Sequence, residues 1–189
     1  MMFGSNVGSN ETWKRIPNNS VGVELGVWKG ESSVKFLKRA KHLHLVDPWS
    51  VVAYENSDEF GDYSDYLARY SKIVGSQNPD DFQRYYDNIA QMVTQQFKDN
   101  PVSIHRQTTD QFFMTFTETV DWVYVDALHS FDGCLSDLRN SLKIIKKGGS
   151  IFGDDYGNKP GVVAAVDAFI LETGLKLDNF YTTQFEIKV

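Results

Sequence analysis

The chain has little of what a secreted or membrane protein needs. It contains a single cysteine, Cys134, which excludes an intramolecular disulfide and is compatible with a reducing compartment. No apolar run approaches the roughly 20 residues that a membrane span requires, and no signal-peptide pattern opens the chain. No histidine pattern accompanies Cys134, so we interpret it as a half-buried structural residue. We expect a cytoplasmic protein without a membrane partner.

Positive charge is also scarce. Lys and Arg total 19 against 25 Asp and Glu, which gives a net charge of −6 and a pI near 5.2. A general nucleic-acid-binding protein normally has a basic face, so we expect no general nucleic-acid partner. A hydrophobic content of 41% over 189 residues is enough to bury one sizeable core. Because no repeat or linker divides the chain, we predict a single domain over residues 1–189.

Short β-rich runs alternate with helical patterns along most of the chain. This alternation predicts an α/β fold, a doubly wound and mostly parallel seven-stranded sheet with an antiparallel edge strand. The predicted strands are Val21–Leu25, His42–Val46, Val102–His105, Asp121–Asp126, Ser150–Phe152, Leu175–Tyr181 and Gln184–Val189. The predicted helices between them are Ser32–Ala40, Thr109–Thr115, Gly133–Ile145 and Val162–Thr173.

Two regions depart from this alternation. Residues 1–20 are rich in Gly, Ser and Asn, and we expect them to be irregular. Residues 48–100 are predicted to form a helical insertion after the second strand, with a helix that starts at Asn78-Pro79 and buries an aromatic stripe from Phe82 to Phe97. The acidic and aromatic stretch 54–66 is typical of a solvated surface with packed aromatics. Its position after the second strand also suits a substrate flap.

The segment 21–33 has the most informative local pattern. An apolar run ends in Glu24, two glycines follow in a G-x-x-x-G arrangement (Gly26 and Gly30), and Ser32 opens a helix. Such a loop lets backbone N–H groups approach a ligand at a helix N-terminus, although glycines can also serve only to relieve a tight turn. The next strand ends in Asp47, whose carboxylate can accept hydrogen bonds from ribose hydroxyls. The pattern resembles the cofactor site of class I S-adenosylmethionine-dependent methyltransferases.

The main alternative for this segment is a dinucleotide site. A dinucleotide-binding loop carries G-x-G-x-x-G, and no G-x-G occurs in this sequence. An NAD-dependent oxidoreductase that uses Asp47 on the ribose is therefore disfavoured.

Carboxylates also follow two later strands. Asp126 ends one strand, and Asp154 and Asp155 end the next, so the two strands are expected to be neighbours. Three like charges at one edge are unfavourable unless something neutralises them, and a divalent cation such as Mg²⁺ does so. Each aspartate taken singly could instead cap a helix.

Longer motifs around these aspartates resemble one methyltransferase group. The segment 121–133 is similar to a strand that ends in D-G-x-H, and 142–156 is similar to a helix end, K-x-G-G and a strand that ends in G-D-D-Y. The segment 161–169 is also similar. Together they resemble the group that includes macrocin-type sugar O-methyltransferases (methyltransferase family 24), and the resemblance spans about residues 21–169.

This resemblance implies roles for individual residues. It implies a metal site of Asp126, Asp154 and Asp155, and a catalytic His129 that, as a neutral imidazole, removes a hydroxyl proton with Asp126 beside it. It implies that Glu24 lies near the cofactor's ammonium group, that Asp47 binds its ribose, and that the other cofactor contacts come from Gly26, Gly30, Ser32, Trp49, Gln107, Thr108 and Asp126. The remaining histidines, His42, His44 and His105, are interpreted as structural.

The expected function is methyl transfer from S-adenosylmethionine to a hydroxyl of a small molecule (a sugar, a polyol or a catechol-like compound), assisted by Mg²⁺. One alternative is a metal-independent N- or carboxyl-methyltransferase. Another is a non-catalytic S-adenosylmethionine-binding protein, because Ala127 stands in place of the glycine of the D-G-x-H turn and the N-terminal region is short. A homodimer is a further expectation.

Overall fold

A seven-stranded sheet forms the centre of the structure, a computed structural model in which residues 9–55 and 59–189 are described. The strands are β1 (Ser20–Leu25), β2 (Ala40–Val46), β3 (Val102–His105), β4 (Val120–Val125), β5 (Ile145–Gly153), β6 (Lys176–Phe180) and β7 (Gln184–Lys188). Their order in the sheet is β3-β2-β1-β4-β5-β7-β6. Strands β1 to β5 are parallel, and β7 pairs antiparallel with both β5 and β6. The predicted doubly wound α/β fold is confirmed.

Helices connect these strands. They are α1 (Ser9–Arg15), α2 (Glu31–Phe36), α3 (Tyr63–Val74), α4 (Pro79–Phe97), α5 (Thr109–Thr115), α6 (Phe131–Ile144) and α7 (Pro160–Thr173), with a short 3₁₀ helix at Val51–Tyr54. Local sequence explains several starts. The Asn78 side chain accepts a hydrogen bond from the Asp80 N–H at the start of α4, and the Ser130 hydroxyl accepts one from the Gly133 N–H at the start of α6. In the described parts of the chain, no helix has the length and apolar character needed to cross a membrane.

Apolar clusters cover both faces of the sheet, as a parallel sheet requires. One cluster joins the sheet to α5, α6 and α7 and contains Val123, Leu138 and Phe169. The other lies under α2 and α4 and contains Phe36 and Trp122. Most of the α4 stripe packs into this cluster, as the sequence predicts: Ile89, Val93 and Phe97 are at most 5% exposed. Phe82, at the start of α4, is fully buried in a third cluster.

Strands β2 and β3 extend the sheet on one side of β1, and β4 and β5 extend it on the other. The direction in which successive strands are added thus reverses between β1 and β4, which pair in parallel through Gly22–Leu25 and Trp122–Val125. In open α/β sheets the ligand crevice lies at such a switch point, outside the carboxyl ends of the strands. The carboxyl ends of β1, β2, β4 and β5 meet at this edge. The residues that follow them define the candidate site.

Four elements differ from the sequence-based expectation. Helix α1 lies within residues 1–20, which we expected to be irregular; tertiary contacts stabilise it, because Ile16 after it is fully buried and Arg15 bonds to Glu186 of β7 at 3.0 Å. Helix α2 ends at Phe36, since Ala40 already belongs to β2. Strand β5 begins at Ile145, so it includes the two glycines that we expected to precede it. The antiparallel strand β7 lies one place inside the edge strand β6.

The region after β2 carries its own apolar cluster. Its buried residues include Tyr66 and Phe82, and the half-buried rings of Tyr54, Phe60 and Tyr70 pack against them. Tyr54 stacks on Tyr66 with a centroid distance of 4.5 Å. The aromatics of stretch 54–66 therefore form a packed subcore. Of this stretch, residues 56–58 lie outside the described part of the chain.

Candidate active site

Four strands end side by side at the switch point. The loop after β1 is bound to both neighbours, because the Gly26 N–H donates to the Val46 carbonyl at 2.9 Å and the Asp126 N–H donates to the Leu25 carbonyl at 3.0 Å. The residues that directly follow the four strands are Gly26, Asp47, Asp126 and Asp154. The structure thus brings the predicted cofactor loop and the predicted acidic cluster to one edge.

At Gly26 the cofactor loop after β1 lies close to the backbone of Asp126 in the acidic cluster. Its φ is +85°, and a Cβ placed on it would lie 2.0 Å from the Asp126 carbonyl oxygen. Only a residue without a side chain fits such an approach. Gly30, at the end of the same loop, is packed in a similar way, because a Cβ there would lie 2.7 Å from the Phe97 ring.

Glu24 lies at the end of β1 and is only 1% exposed. Burial raises the pKa of its carboxyl well above the usual value, although a 2.6 Å hydrogen bond from the Ser33 hydroxyl opposes the shift. A cationic group brought to this carboxyl would favour its charged form. Ser32, which the resemblance implies as a cofactor contact, is also buried, and that contact stays a prediction.

Asp47 organises the cofactor loop. Its Oδ2 accepts hydrogen bonds from the N–H groups of Val27 and Trp28, at 3.1 and 2.8 Å, and its Oδ1 accepts one from the Trp49 N–H at 2.8 Å. Burial raises its pKa, against the effect of these bonds. A carboxylate has about four lone-pair positions, so about one remains for a ribose hydroxyl. The predicted ribose contact is geometrically compatible with this arrangement.

The other predicted cofactor residues hold local structure. The Trp49 ring is fully buried, and its Nε1 donates to the Trp28 carbonyl at 2.8 Å. Thr108 caps α5 in a reciprocal pair with Gln111. The backbone N–H of Gln107 donates to the His105 carbonyl at 3.0 Å. These bonds hold the local loops, and the predicted contacts of Trp49, Gln107 and Thr108 with adenosine stay predictions.

The acidic cluster gathers Asp126, His129 and Asp155. One ligand atom from each lies within 4.8 Å of the others, a spacing that could hold a metal ion. His129 Nε2 lies 2.9 Å from Asp155 Oδ2 and 3.7 Å from Asp126 Oδ1. Within the described residues this is the one group of three or more such side chains at that spacing.

The charge state of His129 differs from the expectation of a neutral imidazole. Burial alone would lower its pKa, but the neighbouring carboxylates of Asp126, Asp155 and Glu59 outweigh burial and raise the pKa to about 12. Burial raises the pKa of Asp126 to about 6. Burial also acts to raise the pKa of Asp155, but the bond to His129 reverses this and the pKa is lowered. In this arrangement His129 is an imidazolium at neutral pH, and it cannot accept a proton until the charge around it changes.

Asp154 does not belong to this group of three. Its Oδ1 accepts hydrogen bonds from the Thr183 hydroxyl at 2.6 Å and from the Asp155 N–H at 2.8 Å, and the residue is 7% exposed. The structure therefore brings Asp126 and Asp155 of the predicted trio together with His129, and it places Asp154 against Thr183. The role of Asp154 as a metal ligand stays a prediction. Adjacent residues point their side chains in different directions, which is why only one of the two aspartates reaches the cluster.

Comparison with protein families identifies the chain. A family model described as a methyltransferase domain (Methyltransf_24) matches residues 23–156, which contain the cofactor loop and the whole acidic cluster. The chain belongs to this methyltransferase family. The family is of the class I, S-adenosylmethionine-dependent type. A search of curated proteins found no match.

Solved structures share the fold of this methyltransferase at low sequence identity. A candidate methyltransferase from Streptococcus mutans, solved with SAH, has a TM-score of 0.60 and 11% identity over 99% of each chain. A candidate caffeoyl-CoA O-methyltransferase from Staphylococcus aureus has a TM-score of 0.65 and 13% identity, over 99% of this chain and 85% of that chain. An rRNA methylase from Streptococcus thermophilus has a TM-score of 0.58 and 10% identity, over 100% and 97%. The acceptors differ among these proteins, so the shared fold does not identify the acceptor here.

Sequence reasoning missed two side chains of the methyltransferase site. Ser33 binds Glu24, and Glu59 binds His129 through its Nδ1 at 2.9 Å. Ser33 is the residue after Ser32, which the helix-opening pattern indicated. Glu59 lies 70 residues before His129 in a stretch that carries several other acids, and no spacing rule singles it out.

Proposed function

We propose that this methyltransferase transfers the methyl group of S-adenosylmethionine to a hydroxyl group of a small molecule, such as a sugar, a polyol or a catechol-like compound. A divalent cation such as Mg²⁺ assists the transfer. The observation that carries the proposal is the meeting of Asp126, His129 and Asp155 within 4.8 Å, directly beside the loop of Gly26. A methyl donor held by that loop and an acceptor held by the cluster would be neighbours.

The chain offers a suitable cradle for the cofactor. Close backbone approach at Gly26, the buried carboxyl of Glu24 and the remaining acceptor position of Asp47 fit a ligand with an ammonium group and ribose hydroxyls. When bound, the sulfonium supplies an activated methyl group. The main task of the protein is then alignment, and good orientation contributes roughly 7–11 kcal/mol in favourable cases. The residues proposed to hold the cofactor are Glu24, Gly26, Gly30, Ser32, Asp47, Trp49, Gln107, Thr108 and Asp126.

The cluster fits a cation as well. Two carboxylates are the ligands that Mg²⁺ and Mn²⁺ favour, and an acceptor hydroxyl bound to such a cation loses its proton more easily. A cation held by Asp126 and Asp155 would also offset part of the negative charge that raises the pKa of His129. This would favour the neutral form of His129, the base that the family resemblance implies, with Nε2 facing the acceptor.

One observation favours a second candidate, a metal-independent N- or carboxyl-methyltransferase. The imidazolium of His129 already neutralises part of the charge of Asp126 and Asp155, with 2.9 Å to the latter. The carboxylates and the imidazolium could therefore orient an amine or a carboxylate acceptor without a cation. A non-catalytic S-adenosylmethionine-binding protein is the remaining outcome of the tests below.

The overall charge supports a small acceptor. A net charge of −6 opposes the phosphate backbone of RNA, although an rRNA methylase shares the fold. We therefore propose a small-molecule acceptor and no general nucleic-acid partner.

The first experiment is a calorimetric titration with S-adenosylhomocysteine, run in Mg²⁺ and again in EDTA. Micromolar binding supports the cofactor pocket, and the absence of binding in both buffers refutes the proposed function. A panel of sugars, polyols, catechols, amines and carboxylic acids is then tested for methylation with S-adenosylmethionine. Loss of turnover in EDTA supports the cation, and unchanged turnover favours the metal-independent candidate. Binding without turnover on any compound favours a non-catalytic protein.

Substitution separates the two adjacent aspartates. Asp155→Asn should abolish the effect of Mg²⁺, because it removes one of the two clustered carboxylates. Asp154→Asn should retain the Mg²⁺ effect, because Asp154 bonds to Thr183 instead. Loss of the Mg²⁺ effect in Asp154→Asn would indicate that Asp154 is a ligand of the cation.

A further inference from the structure

Glu59 makes two hydrogen bonds to one residue of the candidate active site. Its Oε1 accepts from His129 Nδ1 at 2.9 Å, and its Oε2 accepts from the backbone N–H of His129 at 3.0 Å. The Glu59 side chain is 11% exposed and that of His129 is 25% exposed, so the pair is partly shielded from water. One carboxylate thus holds both the ring and the backbone of His129.

This double contact decides which ring nitrogen faces the cluster. With Nδ1 bound to Glu59, Nε2 points to the opposite side, where it lies 2.9 Å from Asp155 and 3.7 Å from Asp126. A ring without the Glu59 contact could rotate and present either nitrogen. Partners of this kind fix the tautomer and the orientation of a histidine, and their loss typically costs about 10–100-fold in activity in metal sites.

The aromatic subcore after β2 holds Glu59 in place. The next residue, Phe60, packs against Tyr66 at a centroid distance of 5.2 Å, against Tyr70 at 5.7 Å and against Tyr54 at 5.9 Å. These rings connect residue 60 to α3 and to the 3₁₀ helix at Val51–Tyr54. The insertion therefore reaches the catalytic loop through a carboxylate that is anchored next to a packed ring.

We infer that Glu59 is a positioning residue of the methyltransferase, which orients His129 so that Nε2 faces Asp126, Asp155 and the acceptor. This inference rests on the proposed function. It gives the insertion a part in catalysis in addition to its packed subcore. Glu59 acts through His129 and has no assigned contact with the cofactor or the acceptor.

Nuclear magnetic resonance of the imidazoles tests the contact without any turnover. The chain has four histidines, so ¹⁵N-histidine labelling gives a simple spectrum in which His129→Gln assigns the ring signals of His129. In the wild type the Nδ1 proton of His129 should be protected from exchange with water, and in Glu59→Ala that protection should be lost. Glu55→Ala is the matched control, because it removes an exposed glutamate from the same region, and it should leave the signal unchanged. A protected proton in Glu59→Ala, or its absence in the wild type, overturns the inference.

Kinetics with the panel compound that the wild type methylates supply the second test. Glu59→Ala should lower kcat by about 10–100-fold, with the KM for the acceptor and the Kd for S-adenosylhomocysteine close to wild type. Glu59→Gln keeps the shape and one acceptor oxygen, so its kcat should lie between those of the wild type and Glu59→Ala. If Glu59→Ala does not fold, Glu59→Leu, which keeps the bulk of the side chain but has no acceptor, decides: wild-type kcat and wild-type Nδ1 protection in this variant overturn the inference.

Two other results would contradict the positioning role. A parallel loss of S-adenosylhomocysteine affinity in Glu59→Ala would place Glu59 in the cofactor pocket. A raised Mg²⁺ requirement with an unchanged His129 signal would make Glu59 a ligand of the cation. The proposed function fails separately, since it depends on S-adenosylhomocysteine binding and turnover by the wild-type protein.

Discussion

Replacing Gly26 by alanine tests the junction between the cofactor loop and the acidic cluster. The added Cβ would lie 2.0 Å from the Asp126 carbonyl oxygen and 2.9 Å from the Ala127 Cα, whereas ordinary contacts lie at 3.4–4 Å. The two backbone segments would therefore have to separate by more than about 1 Å, which is a large shift in a packed interior. Because Asp126 belongs to the cluster, this shift should also disturb the site.

Gly75 offers a matched control. Its φ of +83° is nearly the same as the +85° of Gly26, but a Cβ on Gly75 would meet no atom within 4 Å. Alanine in a left-handed conformation costs roughly 1–2 kcal/mol, and the lower entropy of the unfolded chain offsets about 0.4–1 kcal/mol of that. Gly75→Ala should therefore lose about 1 kcal/mol of unfolding free energy. Gly26→Ala should lose a further 1–3 kcal/mol or so from overpacking.

The measurements are urea denaturation, followed by tryptophan fluorescence, and calorimetric titration with S-adenosylhomocysteine. In Gly26→Ala the affinity should fall, because the backbone that approaches the cofactor is displaced by more than about 1 Å. In Gly75→Ala the affinity should equal that of the wild type. Equal stability losses in the two variants, together with wild-type affinity in Gly26→Ala, would refute the close approach as the reason for the glycine.

Three further predictions concern buried charges. Burial lowers the pKa of His44 from 6.5 to about 4, so the unfolded state binds a proton more readily than the folded state. About 2 kcal/mol of unfolding free energy should therefore be lost between pH 7.5 and pH 5. Urea denaturation across this range should show a weaker dependence of stability on pH for His44→Phe. Burial raises the pKa of Asp137 to about 7, so stability should fall as pH rises from 4 to 7 or so, and Asp137→Asn should unfold at higher urea than wild type at pH 8 but not at pH 4. Asp47→Asn places an amide against N–H groups that need acceptors, and calorimetry should show S-adenosylhomocysteine binding weakened by about 10-fold or more.

The His44 prediction needs a control for packing. Phe116 contacts the His44 ring at a centroid distance of 4.9 Å, so Phe116→Leu alters the same cluster and leaves the imidazole in place. This variant should lose a similar amount of stability at every pH. If His44→Phe and the wild type show the same pH profile, the histidine is not the source of the pH dependence.

Much of the fold follows from local patterns. The start of α4 at Asn78-Pro79, the bounds of α5 at Thr109–Thr115 and the strand Val102–His105 agree with the predictions to the residue. In each case the signal is local, a helix cap, a proline or a run of β-rich residues between breakers. Helix α1 is the counterexample, since its stability comes from Arg15 and other contacts with distant strands that the local sequence does not reveal.

By itself, the sequence determined the order of the strands and of most helices along the chain, and the positions of Glu24, Gly26, Asp47 and Asp126 at strand ends. These features depend on hydrophobic period and on turn residues within short windows. Only the tertiary structure decided that Asp155 and not Asp154 joins His129, since the direction of two adjacent side chains depends on the loop conformation. Only the tertiary structure likewise placed Glu59 against His129, which are 70 residues apart. A contact of that range depends on how the insertion packs against the loop after β4.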